Sequence, residues 1–296
     1  MKLRNSNAMP LSRSISSVMA VVLVGLSLAA CSGTAPTPEK SVSSSASAIA
    51  DLELIEPGKL SVAMLTDQRP TSFLDSNKPS GFAVELMDEI AKRIGIDVDY
   101  RTSTIPATLS SLAANQFDTA AFGLIASPER LKILDFSDPW MYGYFGLMVN
   151  GKSKATGLDS FKGKIVGVET GSFQEQLILD NYPDITPRSY PTTVAMVTGL
   201  AGNQVDAILI GNSNIDASIA QYPALEVIGT VPLQYPNAFP VQKDHPKLLA
   251  AINDALEELM DDGTYIKLFD KWQKGTPFPN TLFETYPSLE KQLASK

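Results

Sequence analysis

The chain has 296 residues, 44% of them hydrophobic and 19% charged, with a mean hydropathy of +0.01, which excludes a disordered or fibrous chain and a multi-span membrane protein. At roughly 150 residues per domain, the length allows one large domain or two modest ones. Basic side chains number 24 against 32 acidic ones, a net charge of −8 with no basic stripe, so nucleic acid is not expected as a partner; one cysteine and one histidine can form neither an internal disulfide nor a Cys/His metal cluster.

Lys2, Arg4 and Arg13 precede the apolar run from Ile15 to Ser27 with no acid among them, which reads as the n-region and h-region of a secretory signal. The run is too short and too rich in small residues for a membrane span. Leu28-Ala29-Ala30-Cys31 follows and resembles the lipobox of bacterial lipoproteins, where cleavage before the cysteine leaves its thiol to carry a lipid. The other reading of Cys31 is a small residue at an ordinary cleavage site, but the chain's sole cysteine stands where a lipobox needs it. Residues 1–30 are then a signal peptide, whose loss takes the net charge to −11. Residues 31–51, rich in Ser, Ala, Pro and Thr, form a lipidated flexible linker that holds the domain to a membrane without a spanning helix.

From Gly58 onward, β-like runs alternate with helical periods, which indicates α/β architecture. Leu60 to Leu65 is a predicted strand. Gly81 opens a helix whose Phe82, Leu86, Met87, Ile90, Ala91 and Ile94 share one face, ended by Gly95. Ile96 to Tyr100 alternates as a strand, Pro106 to Asn115 reads as a helix, and Phe117 to Phe122 and Tyr144 to Val149 read as strands around the turn Phe136 to Trp140. The pattern then restarts, with a strand at Lys164 to Val168, helices at Gln174 to Asn181 and Val194 to Ala201, and a strand at Val205 to Ile210. Pro246 to Met260 is an amphipathic helix with Asp244 placed to cap it, and residues 276–296 read as an extension laid on the surface.

Two motifs fail on context. Gly146 to Ser153 satisfies the phosphate-loop spacing G-x-x-x-x-G-K-S, but its variable positions are the apolar end of a strand and no helix follows Lys152. His245, the sole histidine, sits in a helix-start context rather than a triad. With no G-x-S-x-G elbow and no dinucleotide fingerprint, no cofactor, metal or catalytic residue is expected.

Several ordered segments resemble the extracytoplasmic solute-binding proteins, family 3, of polar amino acid ABC transporters. They are Gly81 to Leu86, Phe117 to Ala120, Gly123 to Arg130, Phe136 to Trp140, Lys162 to Val168 with Thr170-Gly171-Ser172, Val205 to Ala207, Asp262 to Tyr265 and Lys271-Trp272. The resemblance covers roughly 57–275. It implies the two-lobed periplasmic-binding-protein (Venus flytrap) fold with two hinge crossovers, lobe 1 being 52–147 plus 240–275 and lobe 2 being 148–239, with 276–296 a C-terminal extension. It further implies a monomer in the extracytoplasmic space that captures an amino acid or related carboxylate and delivers it to ABC permease subunits, not an enzyme. A sensor presenting ligand to a membrane receptor and a periplasmic dehydratase on the same fold are the alternatives.

Residue by residue, the resemblance places Arg130 on the ligand's α-carboxylate, where a planar guanidinium grips both oxygens. Ser172, with Thr170, meets the same carboxylate from the other lobe. Gly123, Ile125, Asp67 and Gln68 fall in the lobe 1 ligand loops. The aspartate that receives the α-ammonium in the family is absent: Gly211 and Asn212 stand there, and Glu169 is the best substitute, its other reading being an exposed acid at a strand end. Phe122 and Phe173 occupy positions that tend to be small, so a narrower, more apolar cleft is expected. The ligand is then either a polar amino acid held atypically or a derivatised, opine-like relative.

Overall fold

The computed structural model describes residues 51–296, so the predicted signal peptide, Cys31 and the linker as far as residue 50 lie outside the described residues. In chain order, β1 (Lys59–Met64) leads into an antiparallel meander of β2 (Asp67–Gln68), β3 (Ser72–Asp75) and β4 (Lys78–Ser80), followed by α1 (Phe82–Ile94), β5 (Asp97–Thr102), α2 (Ile105–Ala113), β6 (Thr119–Ala120), α3 (Pro128–Leu131) and β7 (Leu134–Phe136). Then come β8 (Tyr144–Asn150), β9 (Ile165–Glu169), α4 (Phe173–Asn181), β10 (Thr186–Tyr190), α5 (Thr193–Ala201), β11 (Ala207–Gly211), α6 (Ile215–Gln221) and β12 (Leu225–Pro232). The chain closes with β13 (Pro240–Gln242), α7 (Pro246–Asp261), α8 (Thr264–Trp272) and α9 (Pro287–Ala294).

The strands sort into two lobes. Lobe 1 has a parallel sheet of order β5-β1-β6, supplemented by the antiparallel pair β13-β7. Lobe 2 has a five-stranded sheet of order β10-β9-β11-β8-β12, in which β8 runs antiparallel to the other four strands. The expected boundary at residue 147 cuts through β8, all of whose paired residues belong to the second sheet. The chain crosses between the lobes twice, after Met141 and after Pro232. The two crossings lie side by side: Asn237 N–H donates to the Met141 carbonyl (2.8 Å) and Trp140 N–H to the Asn237 carbonyl (3.1 Å). Adjacent, antiparallel connections of this kind absorb a hinge rotation with little change in either lobe.

Helix ends follow the sequence closely. Gly95 ends α1 in the left-handed conformation, its N–H donating to Ala91 O, while Thr104, Ser127, Ser172 and Thr192 cap α2, α3, α4 and α5 through their hydroxyls. Gly81 precedes α1 at φ 125, and a Cβ there would strike the Thr71 carbonyl, so only glycine lets the meander close on the helix. Asp244 does not cap α7. It adopts φ 69, His245 takes the cap position without bonding through its own side chain, Pro246 removes one orphan N–H, and Glu53 accepts from the next one, Lys247 N–H.

The lobe 1 core packs α1 and α7 on β1, with Phe82, Ile90, Leu248, Ile252, Leu256 and Tyr265 buried together. The C-terminal extension is part of this core rather than a surface strip. Leu282, Tyr286 and Leu289 are buried in it, since their spacing puts three large apolar groups on one side of an otherwise polar segment. The N-terminal side is pinned to the same lobe: Leu52 is buried, Ile55 N–H donates to Asp118 Oδ1 (2.9 Å), and Lys247 N–H donates to Glu53 Oε2 (3.0 Å). Asp118 also accepts from Ser61 N–H (2.7 Å) and its hydroxyl (2.6 Å), which ties β6 to β1 where the ladder itself has only two residues.

Leu289→Ala is expected to lower the unfolding free energy by about 2–4 kcal/mol, the cost of a core cavity; a urea midpoint equal to that of the parent would show the extension to be superficial.

Candidate functional site

A cavity opens between the lobes, walled by the loop after β6 and α3 on one side and by the β9–α4 turn, the start of α5 and the residues after β11 on the other. Arg130 comes from α3, whose start is fixed by Ser127 accepting from Arg130 N–H (3.4 Å). The guanidinium is nearly enclosed, the residue being 8% exposed. Nη1 donates to the Ile125 carbonyl (3.0 Å) in its own lobe and Nη2 to the Gly171 carbonyl (3.0 Å) in the other. It has no carboxylate partner among the described residues, and burial pushes its pKa down to about 10.

On the facing lobe, Ser172 caps α4 by accepting from Glu175 N–H (3.2 Å), while Glu175 accepts from Gly171 N–H (2.6 Å). These bonds hold the β9–α4 turn rigid. Gly171, at φ 72, lies so close to Pro106 of lobe 1 that a Cβ would sit 2.8 Å from the proline Cγ. Asp67 Oδ2 accepts from Val194 N–H of α5 (3.2 Å), a further bond across the interface. Arg130, Gly171 and Asp67 thus describe the lobes in a closed state.

Glu169 ends β9 facing the cavity, buried and 6% exposed. Thr193 donates to its Oε2 (2.9 Å). Desolvation by burial raises its pKa to about 7, opposed by the Thr193 bond and aided by the Asp67 carboxylate across the interface. Glu169 and Arg130 are the only ionisable side chains lining the cavity among the described residues.

Of the other residues singled out in the sequence, Gln68, Gly123, Ile125, Ser172, Phe173 and Asn212 line the cavity. Gln68 Oε1 accepts from Gly123 N–H (3.2 Å), and Asn212 Oδ1 accepts from Tyr144 N–H (3.3 Å). Phe173 packs edge-on against Tyr235, their centroids 5.9 Å apart. Three residues are not in the lining. Asp67 serves the interface instead, and Thr170 turns away, donating both N–H and Oγ1 to the Tyr190 carbonyl (2.8 and 2.9 Å). Phe122 is fully buried with Ala63, Leu65 and Leu112 in the lobe 1 core, so only Phe173 narrows the cleft. The position is displaced from the cleft because Phe122 packs with Leu124 and Leu134 in the apolar cluster of lobe 1. Gly211 has room for a side chain, a Cβ there meeting only Asn214 Nδ2 at 3.7 Å.

The cavity also reaches residues that the sequence did not place in the site, among them Thr71, Trp140, Thr193, Asn237 and Gln273. Thr193 follows the Thr192 cap of α5. The others lie far apart in the chain and meet only through the crossovers.

The family model for bacterial extracellular solute-binding proteins, family 3, matches residues 60–275. The chain belongs to that family. This solute-binding protein is 29% identical over 221 residues to the L-cystine-binding protein TcyJ of Escherichia coli (strain K12), covering 73% of this chain and 83% of that one. An ancestral arginine-binding protein, solved bound to arginine and to glutamine, superposes with a TM-score of 0.70 at 30% identity, over 73% of this chain and 98% of its own. An ancestral amino-acid-binding protein that is a precursor of cyclohexadienyl dehydratase superposes with a TM-score of 0.64 at 29% identity, over 73% and 96%. Among the described residues no group of His, Cys, Asp and Glu is placed to hold a metal, and no helix is long and apolar enough to cross a membrane.

Because Glu169 keeps its proton to about pH 7 when folded but loses it near 4.5 when exposed, the folded state binds the extra proton in that window and stability falls as pH rises through it. Glu169→Gln is expected to stabilise the ligand-free protein by on the order of 3 kcal/mol at pH 8 and by much less at pH 5. Equal changes in unfolding free energy at the two pH values would mean that the carboxyl is ordinary.

Proposed function

We propose that this protein captures an α-amino acid as its zwitterion in the interlobe cleft, as the binding component of an ABC importer. The observation that carries the reading is the charge inventory of the cavity: one guanidinium on lobe 1, one carboxylate on lobe 2, and otherwise amides, hydroxyls and apolar groups. An α-carboxylate on Arg130 supplies the anion that this buried cation lacks. An α-ammonium on Glu169 takes the place of the aspartate that Gly211 does not provide. Because the two charges sit on opposite lobes, a ligand bearing both rewards closure, as a population shift requires. A free ammonium also favours an ordinary amino acid over an opine-like derivative.

Lipid anchoring through Cys31 and delivery to permease subunits complete the proposal, supported by the lipobox and by relatives that are ABC transporter binding proteins. Cys31→Ser is then expected to move the protein from the membrane pellet to the soluble fraction. A protonated Glu169 also suits a general acid, and one solved relative is a dehydratase precursor. Binding rather than turnover is the reading kept, since the cleft offers that acid no partner base; conversion of prephenate-like substrates would reverse it.

Titration calorimetry against the protein amino acids is expected to find a tight ligand, with Arg130→Met weakening it roughly 100-fold or more. At pH 7 binding should release about half a proton as Glu169 ionises against the ammonium, read from the difference between buffers of unlike ionisation enthalpy. Unchanged affinity in Arg130→Met would remove the carboxylate site; no proton release, with unchanged affinity in Glu169→Gln, would remove the ammonium site.

A further inference from the structure

We infer that Asp67 is a closure latch: its carboxylate caps α5 of the other lobe only when the cleft is shut, and so sets how slowly any captured solute leaves. The inference rests on the capture by closure proposed above, but not on which solute is captured. Asp67 lies outside the cavity lining, so its role is positioning rather than contact with the solute.

Three helices that border the cleft begin with a hydroxyl cap, and they treat their remaining N–H groups differently. In α2, Pro106 stands two places after the Thr104 cap and has no N–H to satisfy. In α4, Glu175 stands three places after the Ser172 cap and adds a second acceptor, which takes the Gly171 N–H. α5 has neither device: Val194 stands where α2 has proline, and Ala195 where α4 has glutamate. Thr192 Oγ1 accepts from Ala195 N–H (3.2 Å), which leaves the Val194 N–H to Asp67 Oδ2 (3.2 Å), a residue 127 positions earlier and in lobe 1. A carboxylate there also meets the positive end of α5.

The bond cannot survive opening, because both of its ends are fixed to their own lobes. Asp67 belongs to β2, which pairs with β3, and its carbonyl accepts from Arg69 N–H (3.1 Å). Thr193 ties the start of α5 to Glu169 at the end of β9 (2.9 Å), while Met196, Val197 and Leu200 bury the helix in the lobe 2 core. Consecutive residues of one helix thus hold one carboxylate from each lobe, and α5 cannot follow Asp67 when the lobes part. Both the N–H and the carboxylate then pass to water. A contact made only in the closed state slows opening without helping the solute to enter.

The test separates this role from contact with the ligand. Asp67→Ala and Val194→Pro each remove one side of the bond; the second follows the Pro106 pattern of α2, and Val194 is 46% exposed, so its loss disturbs little packing. Stopped-flow kinetics with the protein amino acids and L-cystine as probes should show each variant raising the dissociation rate about three- to tenfold for every probe that binds, with association rates unchanged. The double variant should be no worse than either single one, and Asp67→Asn, which keeps an acceptor oxygen, should lose less than about threefold. Unchanged dissociation in Asp67→Ala, additive losses in the double variant, or a loss confined to probes with basic side chains would overturn the latch. If Val194→Pro fails to fold, Asp67→Ala and Asp67→Asn still decide. If no amino acid binds, the zwitterion reading fails, and the latch is judged on the ligand-free protein carrying Cys31→Ser with spin labels at Lys132→Cys and Asp184→Cys: Asp67→Ala should shift the interlobe distances toward the open state, and an identical distance distribution would overturn it.

Discussion

The constraint on which the rest of the structure depends is the enclosure of a single guanidinium between two lobes. Arg130 carries a permanent charge into a site where only carbonyl oxygens meet it, one from Ile125 in its own lobe and one from Gly171 in the other. Carbonyl dipoles offset part of the desolvation cost but leave a net positive potential in the cleft. That potential needs the Ser127 cap to aim the side chain, the left-handed Gly171 to bring the facing carbonyl close, and the paired crossovers to let the lobes meet. Each of these is a local feature; together they produce one electrostatic demand.

Glu169 is the counterpart of Arg130 in sign and in lobe. Burial and the Asp67 charge across the interface raise the pKa of its carboxyl to about 7, so it is only half ionised at neutral pH. The two lining groups therefore differ in kind: one is fully charged at neutral pH, while the other becomes fully charged only beside a cation. In the empty closed cleft the charges do not balance; the proposed zwitterion would balance them and so favour closure.

Much of the fold could be read from the sequence, because helix caps and apolar periods act over short spans. Gly81, Gly95, Thr104 and Ser172 all mark the boundaries that their chemistry implies. Arg130, carried by an ordered family segment, and Glu169, read as a substitute for the missing aspartate, both line the cavity. What could not be read depends on contacts between distant parts of the chain. Phe122 belongs to a core behind a two-residue strand, Leu282 and Leu289 fold back into lobe 1 from a segment rich in turn-formers, and Trp140 meets Thr71 and Gln273 in one cavity although the three span most of the described sequence. Local periodicity carries no information about such meetings; only the topology does.

The placement of the two ends has a mechanical consequence. The segment entering at Asp51 is clamped by Asp118 and α7, and the last helix is embedded in the same core, so both ends belong to lobe 1. Lobe 2 is an insertion, suspended from two adjacent strands of backbone like a gate hung on a post. Its swing displaces neither the segment that enters at Asp51 nor the last helix, so the work of opening and closing stays within the hinge and the cleft.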